Sequence, residues 1–185
     1  MSEENVEIVR ARVNLTDHPR RRLEERLGLR FPRLRALAAA RALALRPQSS
    51  VRQAVLRRAV QIGHDAANRM DYEAMFMWYA PDCDSTFPSQ LAVLGEPGTR
   101  GLDERVRFEQ RWRTEWGAFK YDPDEMVDLG DRLLVLGIMR GSGPSSGVGV
   151  DTEWAVLFDL GRGQATREQV FFSHAEALKA AGLSE

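Results

Sequence analysis

Apolar residues recur at helical spacing through the first half of the chain. A longer helix is predicted from Val51 to Met70, and a short one at residues 2–12. Between residues 20 and 46, Pro32 is expected to divide a helical stretch into two pieces, because proline breaks a helix interior. Leucines mark the apolar side of that stretch: Leu23, Leu27, Leu34, Leu37 and Leu45.

Shorter segments follow the long helix. Asp71 is expected to cap a helix from Tyr72 to Tyr79, which ends before Pro81. A short strand is predicted at Cys83–Phe87, and glycine and proline indicate a loop up to Gly101. The spacing of the apolar residues then predicts a helix from Leu102 to Trp116.

The last part of the chain is typical of antiparallel strands. They are predicted at Tyr121–Leu129, Arg132–Arg140, Val150–Leu160 and Ala165–Ser173, with a final helix at His174–Ala181. The glycine- and serine-rich stretch Gly141–Gly149 is expected to be a mobile hairpin loop able to gate a pocket. Helices followed by an antiparallel meander indicate an α+β fold.

Charge is divided unevenly along the chain. The formal charge is +8 over Met1–Met70 and −9 over Asp71–Glu185, within a net charge of −1. We therefore divide the chain into an Arg/Leu/Ala-rich helical extension or insertion at residues 1–49 and a folded domain at residues 50–185.

The arginine-rich segment has two interpretations. A basic amphipathic helix can bind nucleic acid or an acidic membrane surface. Phe31 is the only aromatic residue from residue 20 to residue 49, and Glu24 and Glu25 interrupt the positive charge. These features favour a solvated helix that packs its leucines on the domain or on a partner, so neither nucleic acid nor a membrane is expected.

Composition narrows the possible chemistry. Cys83 is the only cysteine, which rules out an intramolecular disulfide. The histidines, His18, His64 and His174, are too scattered for metal-ligand spacing, and the glycine-rich run lacks a phosphate-binding lysine. We expect no metal and no cofactor. The acidic start, Met1–Glu7, and the lack of a long apolar run favour a cytoplasmic location.

Four stretches of sequence carry a resemblance to a known family. They are MSEENVEIVRA, MDYEAMFMWYAPDCDSTFP, RGLDERVRFEQRWRTEWGAFKYDPDEMVDLGDRLLVLG and GRGQATREQVFFSHAEALKAAGL. In order and spacing the chain resembles the SnoaL-like (polyketide cyclase-like) family of the nuclear-transport-factor-2-like superfamily, over about residues 51–185. The resemblance implies a cone-shaped, curved antiparallel β-sheet wrapped by three helices around a pocket. It also implies a homodimer formed through the outer face of the sheet.

The same resemblance implies that the usual catalytic acids are absent. Phe87, Ala155 and Val170 stand where ketosteroid isomerases, cyclases and epoxide hydrolases of the superfamily carry their acids, and the hydrolases' other acid falls near Gly137. None of these side chains can move a proton. The chain is therefore not expected to perform those reactions by their usual mechanisms.

Two glutamates are the candidate replacements. If Ala155 and Val170 face the cavity, strand alternation directs Glu153 and Glu168 inward as well. With the turn near Gly161–Arg162, Ala155 would pair with Glu168. A carboxyl group in an apolar cavity has a raised pKa and suits general acid or base catalysis. The alternative is that a β-bulge reverses the parity and places both glutamates in solvent or on the dimer face.

The remaining candidates are pocket-wall residues. The predicted ligand-binding side chains are Tyr72, Phe87, Trp112, Trp116, Trp154, Val170 and Phe172. His64 is expected at the surface, opposite the apolar side of its helix, with the pocket mouth as the alternative.

These features lead to three functional hypotheses. The first is a pocket protein for a small apolar or mixed-polarity molecule, as a cofactor-independent isomerase, cyclase, lyase or hydrolase that transfers a proton through Glu153 or Glu168. The second is a non-catalytic ligand-binding or dimeric interaction module. The third is an accessory protein whose basic helices dock on nucleic acid or a partner.

Overall fold

The structure is a computed structural model that describes residues 21–94, 97–116, 119–142 and 149–183. The helix predicted at residues 2–12 lies outside the described residues, as does His18. Most of the predicted gating loop, residues 143–148, also lies outside them. No helix within the described ranges is both long enough and apolar enough to cross a membrane.

The helices follow the predicted order. Pro32 separates the first two, and Asp71 caps the fourth by accepting a hydrogen bond from the Ala74 amide at 3.3 Å. The fourth helix is much shorter than predicted, because strand β1 already begins at Tyr79. The helices are α1 (Leu23–Arg30), α2 (Pro32–Leu43), α3 (Ser50–Asn68), α4 (Tyr72–Met75), α5 (Leu102–Trp116) and α6 (His174–Ala181), with a 3-10 helix at Ser89–Leu94.

The strands form one six-stranded sheet in the order β2-β1-β6-β5-β4-β3. All neighbours are antiparallel except β1 and β6, which run parallel, so the sheet is mixed rather than wholly antiparallel. The strands are β1 (Tyr79–Thr86), β2 (Gly98–Arg100), β3 (Phe119–Asp128), β4 (Arg132–Ser142), β5 (Gly149–Gly161) and β6 (Gln164–Phe171). The predicted α+β class is confirmed.

The sheet has an inner and an outer face, each with its own apolar cluster. Trp154 and Val156 of β5 belong to the inner cluster, together with Phe108 and Trp112 of α5. The alternate residues of β5, including Ala155, form the outer cluster beneath α6. Strand alternation thus places the pocket side and the α6 side on opposite faces of the same strands.

Helix α3 is fastened to strand β3 at two points. Asn68 exchanges two hydrogen bonds with the backbone of Tyr121, each 2.8 Å long. Arg52 binds the carboxylate of Asp128 with two hydrogen bonds of 2.7 Å, and both side chains are buried. These contacts fix the orientation of α3 over the inner face of the sheet.

The described part of the predicted extension contacts the rest of the domain. Arg21 binds Asp71 through two buried hydrogen bonds of 2.7 and 2.6 Å. Helix α2 lies against the β5–β6 turn so closely that a Cβ atom on Gly163 would stand 2.1 Å from the Ala36 carbonyl oxygen. The division at residue 50 stays a prediction, but helices α1 and α2 pack on residues beyond it.

The register of the last hairpin differs from the predicted one. Ala155 pairs with Phe171, and Glu168 pairs with Phe158. The turn lies at Arg162–Gly163, both with positive φ, and the register shifts again between Asp159 and Leu160. The prediction paired Ala155 with Glu168, but its observed partner, Phe171, lies three residues further along β6. Because side chains alternate along a strand, a shift by an odd number of residues places Ala155 and Glu168 on opposite faces of the sheet.

Candidate functional site

A largely apolar cavity lies between the inner face of the sheet and the helices. It encloses about 1160 Å³ of atom-free space, including its opening to solvent. Helix α2 contributes Ala39 and Leu43 to its wall, so the segment preceding residue 50 helps to close it. The polar side chains in the wall are His64, Tyr79, Arg105, Glu109, Tyr121, Gln164 and Glu168.

Most of these polar side chains form one buried network on helix α5 and its neighbours. Arg105 donates to Glu168 from Nε at 2.7 Å and from Nη2 at 3.3 Å, and its Nη1 donates to Glu109 at 3.1 Å. Arg113 lies one turn further along α5, with its Nε 3.4 Å from the Glu109 carboxylate. The positive charges of Arg105 and Arg113 thus balance the negative charges of two glutamates, Glu109 and Glu168, so the network as a whole is neutral.

Glu168 is 2% exposed and is held as a carboxylate. Burial by itself raises the pKa of Glu168, but the positive charge and hydrogen bonds of Arg105, with help from Ser85 and Tyr79, lower the pKa below its ordinary value. The raised pKa expected for a pocket glutamate is therefore wrong for Glu168. Desolvation alone would raise the pKa of Glu168, and the sequence does not reveal that Arg105 lies beside it.

The tyrosine hydroxyl groups of the wall are directed at this network. Tyr79 donates to Glu168 at 2.9 Å, and the hydroxyl of Tyr121 lies 3.3 Å from Glu109. Burial and the nearby carboxylates raise the pKa of both tyrosines well above the ordinary value. Cys83 is buried, and desolvation raises the pKa of its thiol to about 12, which leaves it unreactive.

His64 stands apart from the network and lines the cavity from α3. Its Nδ1 lies 2.7 Å from the Val60 carbonyl oxygen, and its ring makes an edge contact with Trp154 at a centroid distance of 5.0 Å. Burial lowers the pKa of His64, since desolvation disfavours the imidazolium, although the Val60 carbonyl and Asp65 oppose this effect. The surface position expected for His64 is wrong.

The predicted pocket-wall residues mostly meet at the cavity. Tyr72 does not belong to the wall, and the side chain of Trp116 lies outside the described part of the structure. The others do line the cavity: Phe87, Trp112, Trp154, Val170 and Phe172. Phe87 stacks on Phe108 at a centroid distance of 3.8 Å. Their role in binding a ligand stays a prediction.

The inward orientation predicted for Glu153 is wrong. Glu153 is exposed, and its carboxylate accepts a hydrogen bond from the His174 amide at 2.9 Å, at the first turn of α6. It shares a face with Ala155, two residues along the same strand, and that face is the outer one because Ala155 pairs with Phe171 rather than with Glu168. Glu153 and Glu168 therefore do not form a common site.

Sequence reasoning missed Arg105 and Glu109. Their spacing, with Arg113 four residues further on, is the pattern of an i,i+4 ion-pair series on one helix face. Such a series is usually solvent-exposed, and its burial follows only from the apolar residues Phe108 and Trp112 on the same face. Within the described ranges, no three His, Cys, Asp or Glu side chains are placed to hold a metal ion together.

Solved structures share this architecture. A nuclear-transport-factor-2-like protein of unknown function from Burkholderia pseudomallei is 24% identical, with a TM-score of 0.58 over 66% of this chain and 94% of its own. TerC co-crystallized with polyporic acid is 20% identical, with a TM-score of 0.58 over 66% and 94%. A proposed polyketide cyclase from Xanthomonas campestris pv. campestris is 22% identical, with a TM-score of 0.51 over 65% and 91%.

At these identities the likeness establishes the fold alone. No curated protein matches the chain in sequence. The profile of the SnoaL-like domain matches residues 60–168, which is more than half of the chain and includes α5, Arg105 and Glu168. Together with the curved sheet and its helix-covered cavity, this match confirms the family resemblance: the chain belongs to the SnoaL-like domain family of nuclear-transport-factor-2-like folds.

Proposed function

We propose that this protein binds a small, mostly apolar molecule in the cavity between the sheet and helices α2, α3 and α5. The proposal rests on the cavity itself, whose wall is largely apolar and aromatic. Ligand pockets typically combine such apolar walls with a few placed polar groups. The inner aromatic residues Phe87, Trp112 and Trp154 would contact the ligand.

The buried network favours binding over proton transfer by Glu168. Its carboxylate accepts two hydrogen bonds from Arg105 and one from Tyr79, and its pKa is lowered. A general acid at neutral pH needs a raised pKa, and a strong general base needs a pKa near 7. A reaction that used Glu168 would first have to separate it from Arg105. The non-catalytic binding alternative is therefore the better-supported form of the proposal.

The neighbouring structures are consistent with a pocket of this kind. TerC was co-crystallized with polyporic acid, an organic molecule, on a fold of the same type. The homodimer expected from the family stays a prediction. The part of the outer face that would form it carries exposed charges on β3, β4 and β5, where Arg140 lies 3.6 Å from Asp122 and 3.8 Å from Asp151.

Equilibrium dialysis of the full chain against naphthalene tests the proposal. Naphthalene is a rigid apolar probe whose binding does not require a reaction. A Val170→Trp variant places an indole in the cavity wall and is expected to reduce naphthalene binding at least tenfold. Val51→Trp adds the same side chain at an exposed position of α3, 57% accessible, and is expected to leave binding unchanged.

The two variants separate pocket binding from adsorption to the surface. If naphthalene does not bind the wild-type protein, the proposal is wrong. It is also wrong if Val170→Trp, shown to be folded by circular dichroism, binds as well as Val51→Trp.

A further inference from the structure

We propose that Nε2 of His64 is a hydrogen-bond acceptor for a hydroxyl group on the ligand, so that the cavity selects hydroxylated aromatic or alicyclic molecules. This inference rests on the proposed binding function and names the class of ligand.

The tautomer follows from the hydrogen bond at Nδ1. The Val60 carbonyl oxygen, 2.7 Å from Nδ1, has only lone pairs to offer, so Nδ1 must carry the hydrogen. A neutral imidazole has one N–H group, and its other nitrogen is then an acceptor. Because Val60 lies four residues before His64 on the same helix, this choice is fixed by α3 itself.

The position of the ring places this acceptor in the ligand's environment. His64 lines the cavity, and its ring is held edge-on against Trp154 at 5.0 Å and Tyr121 at 6.3 Å. Asn68, one turn further along α3, anchors the helix to the Tyr121 backbone, so the ring does not depend on a flexible loop. No residue in the described ranges donates a hydrogen bond to Nε2.

Several of the other polar groups of the wall already have partners, whereas the buried indole N–H of Trp78 has none among the described residues. That N–H group is a donor only, so it cannot accept the hydrogen of a ligand hydroxyl group. Glu168 accepts from Arg105 and Tyr79, and the Tyr121 hydroxyl is directed at Glu109. Gln164 donates to the Tyr79 carbonyl oxygen at 3.0 Å. A ligand hydroxyl that entered an otherwise apolar wall would lose its hydrogen bonds to water, and His64 Nε2 can replace one of them.

The test compares 2-naphthol with naphthalene, which differ by one hydroxyl group. For each protein we define the hydroxyl preference as the dissociation constant of naphthalene divided by that of 2-naphthol. Both constants are measured by equilibrium dialysis. The ratio in His64→Phe, which keeps an aromatic ring and removes the acceptor, is expected to be roughly three- to tenfold lower than in wild type. Val51→Trp, at an exposed position of the same helix and outside the cavity wall, is expected to keep the wild-type ratio.

A second measurement needs no variant. Nitrogen-15 NMR of the wild-type protein is expected to show neutral His64 with hydrogen on Nδ1, and the Nε2 signal is expected to shift with 2-naphthol but not with naphthalene. The Nε2–H tautomer, or an unchanged hydroxyl preference in His64→Phe, overturns the inference. These results leave the proposed function intact if naphthalene still binds, whereas loss of naphthalene binding to wild type overturns the function itself.

Discussion

The guanidinium of Arg105 and the carboxylate of Glu168 form a two-point ion pair, with nitrogen–oxygen distances of 2.7 and 3.3 Å, inside the cavity wall. Arg105 is 6% exposed and Glu168 is 2% exposed. Burial is the largest single influence on the pKa of Arg105 and lowers it, but the charges of Glu168 and Glu109 and the hydrogen bonds to Glu168 together outweigh burial and raise the pKa well above its ordinary value. The pair therefore stays charged, and each partner depends on the other.

Glu168→Gln is expected to destabilise the fold strongly. Removing one partner of a buried ion pair leaves an uncompensated charge, which typically costs about 3–5 kcal/mol. Glu153→Gln is the matched control, because Glu153 is exposed and the amide oxygen of glutamine can still accept the His174 N–H. Its free energy of unfolding is expected to stay within about 1 kcal/mol of wild type. Urea denaturation at pH 7 measures both variants, and equal effects would show that Glu168 is not in a buried ion pair.

The same ion pair is expected to make the protein sensitive to acid. The folded-state pKa of Glu168 lies below 4.5, its value in the unfolded chain, so the unfolded state binds a proton first as the pH falls. The stabilisation of the fold by the ionised Glu168 carboxylate is fully present above about pH 4.5. It is lost as the pH falls through the folded-state pKa. Asp71 acts in the same direction. Burial is the largest single influence on its pKa and raises it, but Arg21, the Ala74 amide and Arg69 together outweigh burial and lower the pKa.

The acid sensitivity is measured by the free energy of unfolding between pH 7 and pH 3. Glu168→Gln is expected to lose less stability than wild type over the acidic part of this range, because it has no carboxylate to protonate. Parallel curves for the two proteins would contradict the lowered pKa of Glu168.

Gly163→Ala tests whether α2 is an integral part of the domain. Gly163 has φ of 80°, and a Cβ atom there would lie 2.1 Å from the Ala36 carbonyl oxygen and 2.7 Å from the Ala40 nitrogen. Gly130 has φ of 93° and nothing within 4 Å of its Cβ position, so Gly130→Ala measures backbone strain alone, about 1–2 kcal/mol. Gly163→Ala is expected to cost about 1–3 kcal/mol more in thermal or urea unfolding. Equal costs would mean that α2 does not pack on this turn.

Much of the fold could be predicted from local patterns. The apolar spacing of α3 and α5, the proline between α1 and α2, and the final helix at His174–Ala181 are properties of single segments, and they were predicted correctly. The helix predicted from Tyr72 to Tyr79 was wrong after Met75, because β1 begins at Tyr79 and pairs with β6. That pairing joins residues far apart in sequence, which no local pattern contains.

The candidate site was less predictable, because it depends on register and on long-range partners. Ala155 was expected to face the cavity like its family counterpart, and Glu153 was expected to share that face. The observed register pairs Ala155 with Phe171, three residues beyond Glu168, so Ala155 and Glu153 lie on the outer face. Glu168 was correctly placed in the cavity, but its pKa depends on Arg105, which lies 63 positions earlier on a different element. His64 was placed at the surface because the apolar side of α3 was assigned without knowing how the cavity wraps around the helix.

His64→Phe is expected to remove a second component of the pH dependence, nearer to neutrality. Burial lowers the folded-state pKa of His64 below 6.5, the value in the unfolded chain, so the unfolded state takes up a proton at a higher pH than the folded state does. The neutral His64 side chain therefore contributes to the free energy of unfolding above about pH 6.5. This contribution falls as the pH drops toward the folded-state pKa, by at most about 1.4 kcal/mol per pH unit. The difference between wild type and His64→Phe in the free energy of unfolding, measured from pH 8 to pH 5, isolates this slope because the other titrating groups are common to both proteins. A difference that does not change with pH would mean that His64 titrates normally, and therefore that its ring is solvated rather than part of the cavity wall.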